Sequence, residues 1–105
     1  MAKIRFAKRF VLTDLDAFLR YLMNTEEQVT QAKHILELLQ KKKEIPDKDW
    51  KVFVIHSVGL YTKVMKRLRD LGLVEKRNGY FSLSREFIYS LKKLIGYWED
   101  YTSKL

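Results

Sequence analysis

No cysteine occurs among the 105 residues, which excludes disulfides and thiolate-bound metals and makes an intracellular, cytoplasmic setting the expectation. Proline occurs once and glycine four times. Breaks are therefore few, and most of the chain should be regular structure. Long apolar runs are missing too: the longest uncharged run is Val52 to Thr62, far below the ~20 residues that a membrane-spanning helix needs. No membrane partner is expected. The opening MAKIRFAKRF interrupts every apolar block with charge and does not read as a signal peptide. No internal repeat or low-complexity tract is visible.

Apolar residues make up 47% of the chain and aromatics 13%, enough for a real core and against global disorder. The length suits one domain: residues 13–84 as its core and 85–105 as an appended helix. Basic side chains outnumber acidic ones by 21 to 13, a net charge of +8, so a polyanionic partner is plausible on electrostatic grounds. The excess is uneven. Residues 50–79 carry seven basic and two acidic groups, while residues 24–49 carry five and six.

From Lys3 to Leu12 the residues alternate, with Ile4, Phe6, Phe10 and Leu12 on one face; that favours a strand, although Ile4, Ala7 and Val11 also fit a helix. Thr13 with Asp16 resembles a capping box, followed by Leu15, Phe18, Leu19 and Leu22 at helical spacing. Thr25 with Gln28 opens a second run, with Val29, Ala32, Ile35, Leu36 and Leu39 inward. The two runs fit either separate helices or one helix bent near Asn24. Lys41 to Lys43 suit a helix C-terminus, where cations favour the dipole. Glu44 to Asp47 reads as a connector, because Pro46 has no amide hydrogen to continue a helix. A short helix then carries Trp50, Phe53 and Val54 inward, and Ser57 to Gly59 marks a turn.

Leu60, Tyr61, Val64, Met65, Leu68 and Leu71 form an apolar stripe at three- and four-residue spacing, ended by Gly72 as a left-handed cap. Asn78-Gly79 is a strong hairpin signal, since a type I′ turn needs positive φ at both central residues. Its register sets Arg77 opposite Tyr80, Lys76 opposite Phe81, Glu75 opposite Ser82 and Val74 opposite Leu83, so Val74 and Leu83 could enter the core together. A final helix from about Ser84 carries Phe87, Leu91, Leu94, Trp98, Tyr101 and Leu105 in steps of four and three, a heptad seam. Ile88 and Ile95 widen it. The fold class is thus mainly α with a small β-hairpin, an α+β arrangement.

The stretch Gly59 to Leu83, and above all LGLVEKRNGYFSLS, resembles the join between recognition helix and wing in the winged helix-turn-helix superfamily of small prokaryotic and archaeal transcription regulators. The resemblance covers roughly Thr25 to Ser84. It implies a DNA-binding protein, with double-stranded DNA as partner. The second helix departs from the pattern, presenting Trp50 and Phe53 where a small residue is usual.

With Leu60, Val64, Leu68 and Leu71 inward, the opposite helix face displays Thr62, Lys63, Lys66, Arg67 and Asp70. A helix fits the DNA major groove, where Arg and Lys reach guanine or phosphate. Lys63, Lys66 and Arg67 are the foremost DNA contacts, with Thr62 and Ser57 as neutral partners. Lys76, Arg77, Asn78 and Tyr80 form the wing contacts. Lys3, Arg5, Lys8 and Arg9 are lesser ones. The bland alternative is that these are ordinary solvated charges.

The seam Phe87, Leu91, Leu94, Trp98, Tyr101 and Leu105 could fold back over Phe18 or Leu36, or pair with a second copy. A homodimer is the expectation, because three heptads exceed what so small a domain needs to cover. His34 and His56 have no partners at metal-ligand spacing. Glycine-rich phosphate loops, nucleophile elbows and credible triads are not found, so no cofactor, metal site or enzymatic activity is expected. A protein-docking module and a sequence-nonspecific architectural DNA-binding protein remain the rival readings.

Overall fold

The structure, a computed structural model, describes residues 14–104. The expected strand over 3–12, the cap at Thr13 and the seam position Leu105 lie outside the described residues.

Two helices, not one bent helix, open the described chain. Helix α1 (Leu15–Leu22) is capped by Asp14, whose side chain accepts from the Ala17 amide at 2.8 Å. Met23 is extended, which breaks the helix. Helix α2 (Glu26–Lys42) starts as the sequence predicts, with Thr25 accepting from the Gln28 amide. The Gln28 side chain turns back to accept from the Asn24 amide, so two orphan amides are satisfied at one junction.

Residues Glu44–Pro46, read as a connector, form a strand, β1. It pairs antiparallel with β3 (Tyr80–Leu83), which also pairs with β2 (Val74–Arg77), giving the order β1-β3-β2. Pro46 fits because an edge strand leaves its missing amide unneeded. The hairpin register follows the expected pairs throughout, from Arg77–Tyr80 to Val74–Leu83. Asn78 and Gly79 have φ of 55° and 82°. Leu83, however, does not enter the core: it is 42% exposed, and Phe81, on the neighbouring strand from Val74, is buried instead.

A 3-10 segment, Asp47–Phe53, follows β1, with a kink at Asp49. It buries Phe53 completely, and Phe53 stacks on Tyr61 and meets Phe81 edge-on, while Trp50 stacks on Tyr61. Gln31 of α2 is fully buried and donates its amide to the Phe53 carbonyl at 2.6 Å, tying α2 to this segment. Helix α3 (Val58–Asp70) is capped by Ser57, which accepts from the Leu60 amide. Gly59 therefore lies inside the helix, and the turn expected at Ser57 to Gly59 falls earlier. Tyr61, Val64, Met65 and Leu68 enter the core formed with Val29, Ile35, Leu39, Ile45 and Val74.

The end of α3 is closed by two bonds. Leu73 donates to the Leu68 carbonyl and Gly72 to the Arg69 carbonyl, the paired bonding of a Schellman cap. Gly72 has φ of 82°, as expected. Its carbonyl accepts from the Phe87 amide at 3.1 Å, fastening helix α4 (Glu86–Thr102) to the end of α3. The Ser84 hydroxyl accepts from the Glu86 amide. Beyond its first turn α4 leaves the body of the domain. Phe87 packs on Phe18 of α1 with ring centroids 5.2 Å apart, and from Tyr89 onward every described side chain of α4 is exposed. The described fold is therefore mainly helical with a small three-stranded antiparallel sheet, and none of its helices is long and apolar enough to cross a membrane.

Candidate nucleic-acid interface

Helix α3 buries one face completely, so the direction of the other is fixed. Ser57, Val58, Gly59, Thr62, Lys63, Lys66 and Arg69 stand on the solvent side. A Cβ added at Gly59 would meet nothing within 4 Å, so the first turn presents bare backbone that another molecule could approach closely. No acidic residue lies on α3 before Asp70. Lys66 donates to Asp70 at 2.8 Å, one helical turn on, and both side chains remain largely exposed. Lys63 has no ion-pair partner among the described residues. Such an exposed pair as Lys66–Asp70 holds Lys66 only weakly.

Arg67 departs from the expected outward face. It is half-buried, and its guanidinium donates to the Leu22 carbonyl at 2.9 Å. That carbonyl belongs to the last turn of α1, where the helix itself supplies no further amide to bond it. A cation there also favours the helix dipole. Arg67 thus sets α3 against α1. Arg69, omitted from the expected contacts, is exposed. The spacing contains the signal for Arg67: it follows Leu60 by seven residues and precedes Leu71 by four, which puts it on the edge of the apolar stripe.

Two adjoining grooves flank α3 and share Lys66, Asp70 and Leu71. One, of about 480 Å³, runs between α3 and the end of α1, where Lys63, Lys66 and Arg67 face a single acid, Asp70. The other, of about 550 Å³, opens between α3, β2 and the start of α4; there Lys66, Arg69 and Lys76 are balanced by Asp70, Glu75 and Glu86. The positive excess therefore lies on the α1 side.

The hairpin divides in two. Lys76 lies opposite Phe81, with its ammonium 5.8 Å from that ring's centroid and 3.3 Å from the Asp47 carboxylate. It braces the hairpin against the 3-10 segment. The Asp47 amide also donates to the Gly79 carbonyl at 2.8 Å, which holds the tip down. Arg77, Asn78 and Tyr80 remain exposed at that tip, with Arg77 3.5 Å from Glu75. Of the expected wing contacts, three are open to a partner and Lys76 is engaged in its own fold.

Burial raises the Tyr61 phenol above its usual value near 10, against an opposing pull from Arg69. Tyr61 thus serves the core beneath α3. His34 holds the 3-10 segment, its Nε2 lying 3.1 Å from the Val52 carbonyl oxygen, and His56 is exposed in the turn before Ser57. Among the described residues no group of three or more His, Asp or Glu is placed to hold a metal ion. No protein-family model matches the chain, and neither a curated protein nor a solved structure matches it significantly.

Proposed function

We propose that the chain binds double-stranded DNA in the manner of a winged helix-turn-helix protein, with α3 in the major groove and the β2–β3 hairpin as its wing, and that it acts as a homodimeric transcription regulator. The observation that carries this is the solvent face of α3: Thr62, Lys63, Lys66 and Arg69 lie open around a bare Gly59, with no acid before Asp70. A helix of this width enters the major groove, and its N-terminal half lies closest to the bases in helix-turn-helix docking. Lys63, Thr62 and Lys66 are then the contacts to bases or phosphates, with Arg69 beside them and Arg77, Asn78 and Tyr80 reaching the neighbouring backbone or minor groove. Arg67 supports the surface from behind.

Selection of duplexes from a random pool tests this. A recovered palindromic site, bound more tightly than unrelated duplexes, is the expected result. Equal binding to all duplexes would replace the regulator by an architectural protein. A protein-docking module is favoured by one different observation: Val52, Ile55 and Val58 are 50%, 37% and 53% exposed around the start of α3. Failure to retain any duplex at low salt would leave that reading standing alone.

A further inference from the structure

Helix α4 ends a small domain with an apolar face that the rest of the described chain does not cover. Leu94, Ile95, Tyr97, Trp98 and Tyr101 are each more than half exposed. Tyr97, Trp98 and Tyr101 are each about two-thirds exposed; at ~150–250 Å² per buried aromatic, they alone offer on the order of 300–500 Å². The aliphatic neighbours bring this towards the ~800 Å² per partner of a stable protein interface.

We infer that this face is covered by the α4 of a second copy running antiparallel, with the two-fold axis near Gly96, an arrangement that deepens the homodimeric reading proposed above and rests on it only for dimerisation. The seam has a direction. Between Leu91 and Tyr101 its first half is aliphatic, Leu91 and Leu94, and its second half aromatic, Trp98 and Tyr101. Antiparallel pairing about Gly96 sets Leu91 level with the copy's Tyr101 and Leu94 level with the copy's Trp98, small against large in every layer. Parallel pairing stacks tryptophan on tryptophan and leaves leucine facing leucine. Leu94, Tyr97, Trp98 and Tyr101 also wall a cleft of about 430 Å³. Their spacing of three, four and seven is that of the four-residue hole which receives one knob from a facing helix. In the antiparallel arrangement that knob is the copy's Leu94; in the parallel one it would be a bulky tryptophan.

Charge points the same way. Lys92 and Lys93 lie in the first half of α4, Glu99 and Asp100 in its last turn, and no basic residue occupies that turn. Glu99 and Asp100 oppose the dipole of the helix itself, while Glu86 in its first turn suits it. Asp100 has only a loose contact with Lys104, at 3.7 Å. An antiparallel copy sets Lys92 and Lys93 level with the copy's Asp100 and Glu99, on the sides of the helices turned away from the seam, whereas a parallel copy sets like charges level. Continuity adds a third argument: the seam runs on from Phe87 to Phe18 and to Leu15, which is 50% exposed on α1. Only the antiparallel arrangement lays the copy's last turn against these residues. The starts of the two α4 helices would then stand about 30 Å apart, twenty residues at ~1.5 Å each, close to the ~34 Å between half-sites one DNA turn apart.

Ser90 and Tyr97 lie one heptad apart on one exposed side of α4, Lys104 follows a further heptad on in the turn after its end, and the chain has no cysteine to confuse cross-linking. Ser90→Cys, Tyr97→Cys and Lys104→Cys can each be treated with a short bismaleimide after sedimentation has fixed the mass. The expected result is a dimer in which Tyr97→Cys cross-links to itself, while the other two cross-link only when mixed with each other. Equal self-linking by all three would overturn the antiparallel arrangement, and a 12.6 kDa monomer would overturn the interface altogether. Retained duplex binding by such a monomer would leave the DNA-binding proposal intact. A cross-linked antiparallel dimer that ignores duplex would remove that proposal alone.

Discussion

Helices α3 and α4 are similar in length, 13 and 17 residues, and both carry an apolar stripe at helical spacing. One buries Tyr61, Val64, Met65 and Leu68; the other buries nothing. The difference shows that a stripe declares the need for a partner surface without saying where that surface is. For α3 it lies close by, in α2 and the sheet. For α4 it is not found in the described domain beyond Phe18. Truncating a stripe residue should therefore have different consequences in the two helices. Leu68→Ala, at a fully buried position, should cost about 2–5 kcal/mol of folding stability by opening a cavity. Leu94→Ala should leave the unfolding of the monomer unchanged and instead weaken self-association, read by sedimentation. If both variants unfold alike in denaturant, α4 is packed on its own domain and the contrast collapses.

A second contrast lies within α3, between the arginines two positions apart. Arg67 is half-buried with its guanidinium on the Leu22 carbonyl, whereas Arg69 faces solvent. Arg67→Met should lower stability by about 1.5–3 kcal/mol, the scale of a hydrogen bond involving a charged group. Arg69→Met should stay within about 0.5 kcal/mol, as exposed substitutions do. Equal melting temperatures for the two would dissolve the distinction. Smaller again is the effect of Gly72→Ala at the joint of α3 and α4. Its φ of 82° and the 3.1 Å approach of a new Cβ to the Glu86 Cβ should cost about 1 kcal/mol, read as a lower denaturation midpoint.

The smallest expected effect concerns the α1–α2 junction. Asp16 accepts from Arg20 at 2.9 Å and from Lys33 at 3.0 Å, and Arg20 also reaches Glu26. The hydrogen bond from Arg20, followed by that from Lys33, holds the Asp16 carboxyl below its usual value of 3.8. A depressed folded value means that the contribution is present above pH ~4 and fades as pH falls through the folded value. Denaturation of Asp16→Asn and the parent chain should therefore differ slightly at about pH 6, and the difference should shrink as the pH falls below about 4. A constant difference across that range would contradict the assignment.

The hairpin was the most legible part of the chain, because a two-residue Asn78-Gly79 loop leaves one register. The helix start at Thr25 and the stop at Gly72 were equally readable, since each depends on one side chain or one φ. Strand β1 was not. Its three residues include Pro46 and show no periodicity, and their pairing with β3 is distant in sequence, Ile45 on Phe81. Leu83 was misplaced for a related reason: alternation gives the face, but whether the end of that face is covered depends on where α4 departs. At the candidate site, spacing identified the open residues Thr62, Lys63 and Lys66. It also contained the clue to Arg67, whose distances from Leu60 and Leu71 mark the stripe's edge. That Lys76 braces Asp47 could not be read, because it needs the position of the 3-10 segment.

These assignments decide which charges to remove in the most direct test of DNA binding. Sequence spacing alone points to Lys66 and Arg67, but the bond from Arg67 to α1 would mix binding with stability. Lys63→Ala/Lys66→Ala removes two exposed charges and leaves that bond in place. The measurement is duplex affinity as a function of salt for this variant and the parent, with melting temperatures alongside. The account predicts an unchanged melting temperature, weaker binding, and a log K–log salt slope shallower by about 0.9 for each phosphate that the variant no longer neutralises. Unaltered affinity and slope in a folded double variant would contradict it.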